Sequence, residues 1–255
     1  MKNFNISRCW QTFRWYLYEN RRTLVRWFIG LALVTMVVES FFLSVSFDHL
    51  SDPGMRKMVL LALGANCTIF LFLVMFYGFS TIFGCLKRKE RRISYLVLPA
   101  SNLERYISAL AYVLVVFPIA IILAFCLGDT LRALAFWLLG YGWISGVQVW
   151  AEMFFSKIWE GMLFGFSMWL FISSIYALGG VWFRKSAFPI VSAIMFFGTI
   201  ALGYTLKSMR VSNVEVDVSS TFVSICLILM ALVIFYIGYL LFKRFQLITS
   251  KWTNL

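Results

Sequence analysis

The chain has 255 residues, 62% of them hydrophobic and only 13% charged, where a soluble domain of this size carries roughly 25% charged residues. That excludes a water-soluble globule and points to one all-α, polytopic membrane helix bundle built from apolar runs of about 20 residues. The net charge of +12 lies in short segments flanking those runs, so the positive-inside rule explains it and nucleic acid is not an expected partner.

The N-terminal segment, residues 1–26, is expected to lie in the membrane interface as an amphipathic helix. Ile6, Trp10, Phe13 and Leu17 recur at spacings of four, three and four, one face of a helix. Arg8, Arg14, Arg21 and Arg22 can reach water or lipid phosphate, while Trp15, Tyr16 and Tyr18 suit the headgroup layer. The segment serves either as a plain juxtamembrane anchor or as an elbow that positions a cytoplasmic partner. No cleavable signal peptide is expected, because the first apolar run begins only at Trp27 and no A-x-A site follows it.

A single transmembrane domain, 27–255, then follows. Its six expected spans lie at about 27–47, 58–86, 106–127, 161–183, 187–206 and 221–242. With both termini inside, residues 1–26, 87–105, 184–186 and 243–255 are cytoplasmic and hold six, six, two and three Lys/Arg, seventeen in all. The outer loops hold six: Arg56, Lys57, Arg132, Lys157, Lys207 and Arg210. That bias sets the orientation. Asp129 falls in the outer set with most other acidic residues. The uncharged stretch 133–151 is expected to be re-entrant or interfacial on the outer side, because Gly140, Gly142 and Gly146 weaken a continuous helix and a seventh crossing would break the charge agreement.

Glu39 lies near the middle of the first expected span, where an acidic side chain costs about 2.5–3.5 kcal/mol on insertion scales. Glu39 and Asn66 each stand eight residues from the outer end of their spans. Antiparallel neighbours would hold both about 12 Å deep, which predicts a Glu39–Asn66 hydrogen bond. Glu39 is then either a coupling carboxylate on a substrate path or a protonated packing residue. Gly161 and Gly165 form a GxxxG that would permit close helix approach. Trp27 and Trp182 fit the inner aromatic belt and Trp159 the outer one.

Between the second and third spans lies Lys87–Arg105, KRKERRISYLVLPASNLER, with six Lys/Arg against two Glu. Ser101-Asn102-Leu103-Glu104 is an S-x-x-E capping box, so the third helix should start at about Asn102. Pro99 pushes Leu98 toward an extended backbone. Upstream, Ile93, Leu96 and Val97 fall at helical spacing among basic residues, a pattern that serves either a lipid surface or a groove on a partner protein.

The order Glu90, a few polar residues, Tyr95-Leu96-Val97-Leu98, then Pro99-Ala100-Ser101 before a new span resembles the permeases of type-2 ATP-binding-cassette (ABC) transporters. That family has an acidic residue, a Leu-rich turn and an LP-x-S step in this loop, an interfacial helix before the first span, and six spans. The resemblance implies a permease subunit, alone or paired with a second copy, whose loop grips a cytoplasmic ABC-type ATPase through Glu90, Arg91, Leu96, Leu98, Pro99 and Ser101. The sequence departs from the family where Ile93-Ser94 stands near its usual Gly-Thr, and where Lys207–Ser220 is short.

No G-x-x-x-x-G-K-[ST] phosphate loop occurs, so ATP hydrolysis would belong to a partner. No enzymatic function, cofactor or metal is expected. His49 is the only histidine, and the cysteines at 9, 67, 85, 126 and 226 lack metal or disulfide spacing. Localisation to a bacterial inner membrane follows from the resemblance. The other reading is a non-transporting membrane scaffold or sensor accessory.

Overall fold

Ser101 and Glu104 close their capping box, and the third helix begins there. Ser101 N–H donates to Glu104 Oε2 at 2.7 Å and Glu104 N–H donates to Ser101 Oγ at 3.2 Å. The computed structural model describes residues 4–45, 53–83, 93, 95, 97–140, 143–148, 160–183, 186–211 and 220–244. Among them the long elements are all helices: α1 (Ile6–Val45), α2 (Pro53–Ser80), α3 (Asn102–Leu138), α4 (Glu160–Trp182), α5 (Ala187–Val211) and α6 (Ser220–Lys243). Five contain stretches long and apolar enough to cross a bilayer: Ile6–Ser44, Leu61–Ser80, Asn102–Leu138, Leu163–Trp182 and Thr221–Lys243. The apolar part of α5, Ala187–Ala201, is shorter. The chain is a multi-pass helical membrane protein.

Three boundaries differ from the sequence expectation. The joint at 26/27 falls inside α1, which runs unbroken for 40 residues, about 60 Å at 1.5 Å per residue. No Gly or Pro stands between Ile6 and Ile29 to break it. The expected face Ile6, Trp10 and Leu17 points outward, while Thr12 and Tyr16 are buried. α2 stops at Ser80, where Ser80 and Thr81 hydroxyls bond back to the carbonyls of Tyr77 and Gly78 and compete with the helical ladder.

α3 continues past Leu127 to Leu138, so the first residues of the segment expected at 133–151 are helix. Its end comes at Gly140, whose φ of +87° suits glycine; Leu139 N–H reaches Ala135 O and Gly140 N–H reaches Trp137 O. Within α3, Tyr112–Val116 forms a π turn. Pro118 follows it, lacks an N–H and would crowd the carbonyl four residues back, which the wider turn relieves.

The chain packs as two compact units. One holds Met1–Thr12, Phe76–Ala109 and Trp159–Leu255. In it α4 packs on α6 and α5 on α4. An aromatic cluster joins the end of α2 to α3 and α6: Phe83 stacks on Tyr106 and Phe242 at 5.8 and 5.1 Å between centroids. Tyr106 hydroxyl donates to Phe235 O at 2.8 Å. The close approach is made at Gly180, where a Cβ would lie 2.8 Å from Ser80 O. Gly165 of the expected GxxxG has nothing within 4 Å of its Cβ position.

The other unit holds Phe13–Met75 and Leu110–Ile158. Leu31 of α1, Leu63, Leu71 and Met75 of α2, and Phe117, Ile121, Ala124 and Phe125 of α3 form its buried core. Gly128 lets α3 touch α1: a Cβ there would collide with Thr35 Oγ1 and stand 2.5 Å from Ala32 O.

Gly180→Ala is expected to destabilise the protein by about 1–3 kcal/mol, because its new methyl meets backbone that cannot yield. Gly165→Ala should cost nothing. Thermal unfolding in detergent measures both; equal midpoints would show that Gly180 is not a contact glycine.

Candidate functional site

Arg132 is the largest fully buried side chain among the described residues, with no exposed surface, and it lies in α3 rather than in an outer loop. Asp129 and Arg132, expected in an outer loop, therefore belong to a helix. No proline separates Leu127 from Leu138, and the helix passes through Gly128 and carries both charged residues with it. Arg132 Nε donates to Glu39 Oε2 of α1 at 2.7 Å. Its Nη2 donates to Asp129, one helical turn away, and to Ile144 O at 2.9 Å.

Asp129 is solvated by backbone. Ser145 Oγ donates to Oδ2 at 2.6 Å, Gly146 N–H to Oδ1 at 3.0 Å and Val147 N–H to Oδ2 at 3.0 Å. Ser145 Oγ in turn accepts from Gln148 N–H at 3.3 Å, capping the short turn there. Residues 144–148 therefore fold back onto α3, with the amides of Gly146 and Val147 on its carboxylate. Glu39, Asp129 and Arg132 all lie within the second unit.

The expected Glu39–Asn66 pair is replaced. Glu39 is 3% exposed and faces Arg132, while Asn66 lies exposed on α2. A guanidinium is a stronger partner for a buried carboxylate than an amide, because it supplies both charge and donors. The missed signal was Asp129-x-x-Arg132, an i,i+3 pair on one face of an apolar run without a proline.

In the first unit a second buried carboxylate joins two segments. Glu104 has no exposed surface. Besides the capping bond, its Oε1 accepts from Asn5 N–H at 2.8 Å and Arg8 Nη2 at 3.1 Å. Ser108 Oγ donates to Cys9 O at 3.0 Å. The start of α1 is thus clasped to the start of α3. The end of the basic loop is latched to the same turn: Arg105 Nη2 donates to Leu98 O at 2.6 Å and buried Tyr95 donates its hydroxyl to Arg105 O at 3.0 Å.

Of the residues assigned to partner contact, Ser101 is in the clasp, Leu98 is half-buried with its carbonyl held, and Pro99 is exposed. Ile93 and Val97 expose 46% and 74% of their surface. Glu90, Arg91 and Leu96 lie outside the described residues, as do His49 and Trp159. Cys9, Cys126 and Cys226 are free and half-buried. Among the described residues no group of His, Cys, Asp and Glu could hold a metal ion.

Comparison with protein-family models, with curated proteins and with solved structures finds no match for this chain.

Arg132→Met leaves two carboxyl groups buried without their cation and is expected to lower stability by about 3–5 kcal/mol. Asn66→Leu should change it by less than about 0.5 kcal/mol. Unfolding midpoints in detergent check both; a tolerant Arg132 with a sensitive Asn66 would reverse the assignment.

Proposed function

We propose that this chain is the membrane-spanning permease subunit of an ATP-driven transporter, coupled to a separate cytoplasmic ATPase through the basic loop 87–105. The observation that carries this reading is the double attachment of the loop's exit. Tyr95 and Leu98 are tied to Arg105, and Glu104 in the same turn is tied to Asn5 and Arg8. A displacement of the loop therefore acts on the first turns of both α1 and α3. Buried charge-assisted hydrogen bonds transmit such a displacement because breaking them costs more than moving the helices.

The exposed Ile93 and Val97, among basic residues, supply an apolar contact of the kind a docking helix offers to a groove. Glu90, Arg91, Leu96, Leu98, Pro99 and Ser101 complete the contact in this reading. α5 makes a sixth crossing, both termini lie in the cytoplasm, and the membrane is a bacterial inner membrane. The basic bias of the short loops supports that orientation. A second copy or a paired permease completes the translocation path. ATP hydrolysis belongs to the partner.

Expression with the chain's native neighbours, purification and assay of nucleotide hydrolysis test the proposal. A co-purifying ATPase is expected. Val97→Asp should release it. Glu104→Gln should keep it bound but lower its stimulated turnover by about tenfold, the equivalent of one lost charge-assisted hydrogen bond. An intact chain that captures no nucleotide-hydrolysing partner would favour a non-transporting scaffold.

A further inference from the structure

Between α1 and α2, in the second unit, lies a groove of about 390 Å³. Its size falls within the roughly 300–1,000 Å³ of small-molecule sites. Trp27, Gly30 and Val34 of α1 form one wall, and Phe70 and Val74 of α2 the other. At the N-terminal end of the α1 wall the lining turns polar, with Thr23 and Arg26.

Gly30 shows that the space is not an accident of loose packing between helices. A Cβ there would meet nothing within 4 Å, whereas Gly128 and Gly180 stand where another backbone comes close. No close approach requires a glycine at position 30. Its effect is to leave the groove floor open. Ile29 and Leu33 of α1 and Ile69 and Leu73 of α2, each next in sequence to a lining residue, are exposed and apolar, so the surface around these helices suits hydrocarbon rather than water.

The charge is one-sided. Arg26 and Arg22 are exposed one turn apart, and Arg21 lies over the Tyr18 ring at 3.9 Å. Arg26 to Val34 spans about 12 Å along the helix, a cation at one end and a purely apolar channel beyond it. A guanidinium matches phosphate with paired hydrogen bonds. An acyl chain is the species that fills an apolar channel open to lipid.

We propose that this groove binds one anionic membrane phospholipid, with its phosphate on Arg26 and one acyl chain lying across Gly30 between Trp27 and Val74. The site is independent of the transporter reading and needs no ATPase.

The test uses the full chain purified in detergent from mixed vesicles of phosphatidylglycerol and phosphatidylcholine, with retained lipid counted by native mass spectrometry. Wild type should keep one phosphatidylglycerol in preference to phosphatidylcholine. Arg26→Gln should reduce that preference by about fivefold, the contribution of one interfacial cation. Gly30→Leu and Val74→Phe fill the groove from opposite walls and should each abolish the retained lipid while Arg26 remains. Far-UV circular dichroism identifies a variant that fails to fold, and the other then carries the test. Undiminished retention in a folded groove-filling variant would overturn the proposal. So would an unchanged preference in Arg26→Gln, or equal retention of the two lipids by wild type.

Discussion

A buried arginine in a membrane helix bundle must be paired with carboxylates and carbonyls, and the second unit is organised around that requirement, although Arg132 Nη1 has no hydrogen-bond partner among the described residues. Glu39 brings α1 to Arg132, Asp129 holds the guanidinium from its own helix, and Ile144 supplies a carbonyl. Transferring any one of these groups alone into hydrocarbon would be strongly unfavourable. The surrounding geometry is the set of positions in which none is alone. Gly128 allows α1 and α3 to come close enough for the contact, one turn before Arg132.

The same two helices meet in the first unit, again through a buried carboxylate. There the acid comes from α3 and the donors from α1. Glu104 accepts from Asn5 and Arg8 while also capping its own helix through Ser101. One side chain therefore sets where α3 begins and what holds the start of α1. The basic loop enters α3 at this point. Tyr95 and Arg105 bind its last residues to the same turn, so the loop's exit and both helix starts form one hydrogen-bonded group.

How much of this was legible in the residues varies with range. The Ser101–Glu104 box spans three positions, and its two bonds form as the spacing dictates. The α3 end was misjudged because Asp129 and Arg132 were weighed as loop charges. A charged residue ends an apolar helix only if it finds no partner inside, and each found one. The joint at 26/27 was expected from a change in polarity, yet polarity does not break a helix without a Gly or Pro to weaken the ladder, and α1 continues. Glu39 is a buried acid paired with Arg132, whereas Asn66 matches it in sequence depth alone. Depth matches many residues; which helix face turns toward Glu39 is what selects one.

Composition and hydropathy by themselves determined that lipid surrounds most of this chain and that helices cross it, because backbone groups in hydrocarbon must be satisfied within the segment. Local spacing determined where α3 starts. Only the tertiary structure decided that Glu39 pairs with Arg132, 93 positions away, and that Glu104 receives Asn5, 99 positions away. Those pairings depend on how each helix is rotated about its axis and how closely glycines let its neighbours approach, and no window of neighbouring residues contains that information.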